Sequence, residues 1–179
     1  MLSDSQRDRL DTWVLAAAPR AVAYAASLLR DRSRAEDVVQ ESFYRLLRKT
    51  DEYDLERDGN KLLFTAISRA CINANTRRRQ MASLHAATDD DRDFDPADPN
   101  TVAPDQRMQT LELQQAVGNA LEQLPELFRA ALELRSLGHG KTEIAEILGV
   151  SPSHAGVLVF RARQQLADAL APFLGGSPR

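Results

Sequence analysis

Apolar residues recur every three to four positions along most of this chain. That helical period, rather than the alternation of strands, predicts a succession of helices. Residues 9–30, RLDTWVLAAAPRAVAYAASLLR, place Trp13, Val14, Ala17, Ala21, Tyr24, Ala25 and Leu28 on one face, as one long helix or two joined near Pro19. Residues 33–49, SRAEDVVQESFYRLLRK, form a second helix with Val38, Val39, Phe43, Leu46 and Leu47 as its stripe. Ser33 followed by Glu36 has the form of a capping box at its start. TDEYDLERDGN, residues 50–60, reads as a polar loop closed by Gly59 and Asn60. A third helix follows over 61–80, with Leu62, Leu63, Ala66, Ile67, Ala70, Cys71 and Ala74 on its apolar face and Arg69, Arg77, Arg78 and Arg79 toward its end.

The periodicity then stops. Residues 83–105 hold acids and prolines without an apolar repeat and read as an extended linker. It resumes over 106–124, with Met108, Leu111, Val117, Ala120, Leu121 and Leu124 in register, until Pro125 breaks it. PELFRAALELRSL is a further helix ended by Gly138, and the closing GGSPR tail should fray. Between them lies KTEIAEILGVSPSHAGVLVFRARQQL, residues 141–166. Its first part is a short helix with Ile144, Ala145, Ile147 and Leu148 apolar, ended by Gly149, which reaches positive φ at little cost. Ser151 is an N-cap for the next helix and Pro152 occupies its first turn. Ala155, Val159, Ala162 and Leu166 then face the core, which leaves Gly156, Val157 and Leu158 largely outward. Helix, glycine turn and second helix make the helix-turn-helix plan, whose second helix can enter the DNA major groove. The fold class is all-α: two small helical domains, 1–82 and 106–175, joined by an acidic linker over 83–105.

Charge adds one qualification. The 179 residues carry a net charge of −3, unexpected for a nucleic-acid binder. The acids are concentrated, however: residues 83–111 hold 2 Lys+Arg against 7 Asp+Glu, whereas residues 1–82 hold 15 against 12. Both ends can therefore present basic patches. No apolar run is read as long enough to span a bilayer, and the polar start MLSDSQRDRLD is not a signal peptide. A single cysteine, Cys71, excludes an internal disulfide framework and fits a reducing cytoplasm. His85, His139 and His154 are scattered, so no metal or cofactor site is expected. No nucleophile stands beside a base, and Glu36 and Asp37 diverge on a helix, so no enzymatic site is expected either.

Three stretches, in this order, carry a family resemblance. RAEDVVQESFYRLLRK resembles the core-binding helix of region 2 in extracytoplasmic-function (ECF, group 4) sigma factors of bacterial RNA polymerase. TAISRACINANTRRRQ resembles that family's promoter-melting and −10 helix. LPELFRAALELRSLGHGKTEIAEILGVSPSHAGVLVFRARQQLADAL resembles region 4, which reads the −35 element. The resemblance covers nearly the whole chain. It implies that Asp37, Gln40 and Glu41 dock on the clamp of core RNA polymerase, with Phe43 in the core of the same helix, and that the 50–60 loop captures a flipped −10 base. It implies that Asn73, Arg77 and Arg78, with Arg79 beside them, meet the −10 strand, and that Arg161 and Arg163 belong to the −35 reader, with Lys141 near a phosphate path. Since Gly156–Leu158 lack donors, choice at −35 is expected to rest on Ser153, His154, Arg161 and Gln164. The chain departs from the family at Leu62 or Leu63, where a Trp is usual, at Arg69, where an Asn is usual, and at Gly156–Leu158, which offer no donors to base edges. That last stretch is also a candidate surface for an anti-sigma factor. A stand-alone helix-turn-helix regulator and a sigma-like interaction module that no longer reads DNA are the competing readings.

Overall fold

The computed structural model describes residues 4–84 and 104–174, and every regular element among them is a helix. In order these are α1 (Asp4–Leu29), α2 (Arg32–Leu47), α3 (Leu55–Leu84), α4 (Pro104–Gln123), α5 (Glu126–Ser136), α6 (Lys141–Leu148) and α7 (Pro152–Leu174). The bulk of the acidic stretch, His85 with it, and the GGSPR tail lie outside the described residues.

Helices α1, α2 and α3 pack on one another. The alanines of α1 let its neighbours approach closely, and Ala17, Ala21 and Ala25 are all buried. Into that space go Tyr24, Val39, Phe43, Leu63, Phe64, Ile67 and Cys71. The Tyr24 hydroxyl is 2.7 Å from Ser68 Oγ, so the one polar group of this buried aromatic is satisfied. Helix α1 is a single element that passes through Pro19, which lies on its exposed face. By length and composition α1 is apolar enough to cross a membrane, contrary to the sequence expectation. Its buried face is that of a core helix, packed on α2 and α3.

Local signals needed correction at two helix starts. Asp31, not Ser33, caps α2: its backbone is extended and its carboxylate accepts the Arg34 N–H at 3.1 Å. Helix α3 begins six residues before the expected Lys61. Asp54 accepts the Arg57 N–H at 3.1 Å and its carbonyl accepts the Asp58 N–H, so half of the supposed loop is helical. Gly59 is inside that helix for a tertiary reason. The Trp13 indole lies so close that a Cβ at Gly59 would stand 2.9 Å from its ring carbons. The indole N–H then donates to Asn60 Oδ1 at 3.0 Å, and the ring meets Phe43 edge-on at 5.3 Å. Leu47 and Leu111, read as stripe residues, are exposed.

In the second half, α4, α5 and α6 pack against α7. Gly149 closes α6 at φ 69° and Gly138 follows α5 at φ 96°. Ala130, Ala131 and Leu134 of α5, Ile144, Ala145 and Ile147 of α6, and Ala155, Leu158 and Ala162 of α7 are buried. A smaller cluster of Ala116, Ala120 and Leu170 joins α4 to α7.

The two halves are closed on each other. Helix α5 lies on α1 and α6 on α3, and one buried cluster runs from Leu10 to Leu158. Phe64 meets the buried His139 ring edge-on at 5.0 Å. The polar contacts across the junction follow from the carbonyls that every helix C-terminus leaves unbonded. The Ser27 carbonyl of α1 accepts from Arg129 Nη1 at 2.7 Å. Arg20 donates to the Leu137 carbonyl at the end of α5, and Arg30, itself at φ 55°, donates to the Glu122 carbonyl at the end of α4. Within the first half, Asn75 of α3 serves the Leu28 carbonyl at 3.0 Å.

Candidate nucleic-acid interface

Three surfaces carry the residues singled out from the sequence. On α2 the buried positions are Ala35, Val39, Ser42, Phe43 and Leu46. The helical period therefore turns Asp37, Gln40 and Glu41 to solvent, and all three are exposed. Glu41 pairs with Arg45 one turn on, which leaves Asp37 and Gln40 as the open part of this acidic patch.

The second surface is the basic end of α3. Asn73, Arg77, Arg78 and Arg79 are exposed. Asn75, interleaved with them, is not open: it donates to the Leu28 carbonyl and, at 2.7 Å, to the Glu126 carboxylate of α5. Arg79 lies 3.5 Å from the same carboxylate. The closed arrangement thus holds part of this basic end against the other half, while Asn73 and Arg77 stay clear of these ties. Glu126, at the start of α5, and Arg129, one turn on, are the residues that sequence reasoning missed. An arginine inside the apolar stripe LFRAAL was the available signal. Burial pushes the Arg129 guanidinium below its ordinary range, and Arg30 nearby adds to that, against the pull of Glu122, Glu126 and Glu133.

The third surface is the helix-turn-helix. Ser151 Oγ accepts the His154 N–H at 3.2 Å, the cap expected from the sequence. Ala155, Leu158 and Ala162 form the buried side of α7, so the expectation that Leu158 faces outward is wrong. Positions 155, 158 and 162 follow the i, i+3, i+7 spacing of one face, and Val159 and Leu166 flank it half-buried. The exposed side is Ser153, His154, Val157, Phe160, Arg161 and Gln164. At about 100° per residue, Arg163 stands about 120° round from Val157, beside Gly156. Lys141, the first residue of α6, reaches that same flank: a Cβ at Gly156 would lie 3.3 Å from Lys141 Cδ. The structure therefore brings Ser153, His154, Arg161 and Gln164 together and sets Lys141 and Arg163 to one side. Among the described residues no group of three His, Cys, Asp or Glu side chains is arranged to hold a metal ion.

Two family models match the chain in sequence order. Residues 6–81 match the family described as Sigma-70 region 2, and residues 114–166 match Sigma-70, region 4. The chain is 30% identical over 146 residues to the ECF RNA polymerase sigma-E factor of Salmonella typhimurium, covering 77% of this chain and 74% of that one. It is 28% identical over 154 residues to the RNA polymerase sigma-H factor of Pseudomonas aeruginosa, covering 82% and 78%. In fold it is similar to the sigma factor RpoE of Bartonella quintana, solved in complex with the anti-sigma factor NepR, with a TM-score of 0.72, 23% identity, and 90% and 96% of the two chains covered. With both regions present in order and nearly a third of positions shared with a sigma-E factor over most of both chains, the protein belongs to the ECF sigma factors of the sigma-70 family.

Proposed function

We infer that this protein is a sigma factor that binds core RNA polymerase, directs it to specific promoters and initiates transcription there. The observation that carries this is the division of labour over one chain. An exposed acidic face on α2, an arginine-rich end on α3 and a capped helix-turn-helix occur in the order of the two matched regions. In this reading Asp37, Gln40 and Glu41 dock on polymerase. Asn73 and Arg77–Arg79 hold the −10 strand by charge and hydrogen bonding, as single strands are generally held. Ser153, His154, Arg161 and Gln164 read the −35 duplex, with Lys141 and Arg163 on its phosphates. Residues 1–82 and 106–175 act as the two working domains. The protein supplies no covalent chemistry and works in the cytoplasm, where polymerase is. An anti-sigma partner belongs to the reading too, because the Bartonella relative was solved with one.

The test is co-purification with core RNA polymerase, comparing wild type with Asp37→Arg/Gln40→Ala. Both positions are exposed, so the variant should fold. Wild type should bind and the variant should not. Failure of wild type to bind polymerase while it still shifts duplex DNA would favour a stand-alone regulator instead.

A further inference from the structure

The exposed strip of α7 is apolar in its middle. Val157 is 45% exposed and Phe160 67%. Three residues apart on one helix, they form a single patch. Ser153 and His154 lie one turn before it, Arg161 and Gln164 one turn after. The flanks are cationic: Lys141, laid across Gly156, and Arg163 are on one side, and Arg161 is on the other. No carboxylate occurs on α7 before Asp168. Of the acids of the neighbouring α6, Glu143 is engaged within the same half by His139 at 3.1 Å, and Glu146 is paired with Lys61 of α3 at 3.2 Å in the closed form.

An apolar centre between cationic edges, without acids, has the charge pattern of a major-groove reader: cations on the two phosphate rails, an apolar contact on the base edges between them. In that groove only thymine presents a methyl group; the other bases present donors and acceptors that an aliphatic side chain cannot satisfy. Burying those against valine would leave them desolvated and unpaired. We propose that Val157 is a specificity-determining residue that selects thymine in the upstream promoter element through its C5 methyl, with Phe160 extending the contact. This deepens the sigma-factor reading and rests on it.

The experiment uses holoenzyme reconstituted from this protein and core polymerase. Promoters are first enriched from a duplex pool randomised in the upstream element. The best is then resynthesised with deoxyuridine for thymidine in that element alone, which removes the methyls and nothing else. Wild type should bind the uracil form about fourfold more weakly for each methyl contacted. Val157→Ala should lose about fourfold of that discrimination, the share of one methyl, with any remainder left to Phe160, while still binding core polymerase. A thymine-to-cytosine change at the position Val157 contacts should weaken wild-type binding, and 5-methylcytosine there should recover part of it. Equal wild-type binding to both forms, or full discrimination retained by Val157→Ala, overturns the proposal and leaves the sigma reading intact. A wild-type holoenzyme that enriches no promoter overturns the sigma reading, and this proposal with it.

Discussion

The junction between Asn75 and Glu126 can be broken from either side, which makes the closure of the two halves measurable. Asn75 donates to the Glu126 carboxylate at 2.7 Å, and Glu126 is largely buried, with its side chain 11% exposed. A hydrogen bond to a buried charged group is worth about 1.5–3 kcal/mol net. The accompanying Arg79–Glu126 pair adds about 0–1 kcal/mol, because Arg79 is 72% exposed. Glu126→Ala also removes a favourable charge from the α5 N-terminus, worth about 0.3–1 kcal/mol, and Asn75→Ala also frees the Leu28 carbonyl. A double-mutant cycle subtracts both of these side effects and isolates the bond between the two residues. Global stabilities of wild type, both single variants and the double variant, from guanidinium titration followed by circular dichroism, should give a coupling of about 1–3 kcal/mol. In parallel, small-angle scattering should show a larger radius of gyration for the double variant than for wild type. Closure matters for function because centres about 25 base pairs apart lie about 85 Å apart on duplex DNA, whereas a compact chain of this length has a radius of gyration of about 16 Å. In the proposed reading, with residues 1–82 on one promoter element and 106–175 on the other, the closed form cannot reach both at once. A coupling below about 0.3 kcal/mol, the level at which independent sites add, would refute the reasoning and show that α3 and α5 do not meet there in solution.

Three further outcomes are expected. Gly59→Ala should lose about 1–2 kcal/mol and lower Tm by about 2–6 °C, because overpacking against an indole held by Phe43 and Asn60 outweighs the gain in helix propensity; Gly118→Ala, with nothing within 4 Å, should be neutral or stabilising. Cys71 is fully buried and its thiol is pushed up to about 12 by that burial, so iodoacetamide at about pH 8 should leave native protein unlabelled and modify it in denaturant. Burial raises the Glu133 carboxyl above its ordinary value, against a bond from Ser27 and the charge of Arg129. A raised carboxyl contributes stability below its unfolded value and loses it as pH climbs through the folded one. Glu133→Gln should therefore melt higher than wild type near pH 7, with the gap closing as pH falls toward 4.

The sequence alone determined the helices that local rules govern. Gly149 needed positive φ, Ser151 offered a capping oxygen, and the period of Val39, Phe43 and Leu46 set which side of α2 is buried, so the acidic face follows from local spacing. The same rules misjudged the start of α3, where Gly59 looks like a loop residue until Trp13 is laid against it. They also misjudged Leu158, which the spacing allows on the edge of either face and which packing assigns to the core. Only the tertiary structure decided the closure. Its ties join residues 51 and 102 positions apart, Asn75 to Glu126 and Ser27 to Arg129. A window of a few residues carries the signals for a cap or a stripe. Which donor serves the unbonded carbonyls at a helix end depends on what the rest of the chain brings there.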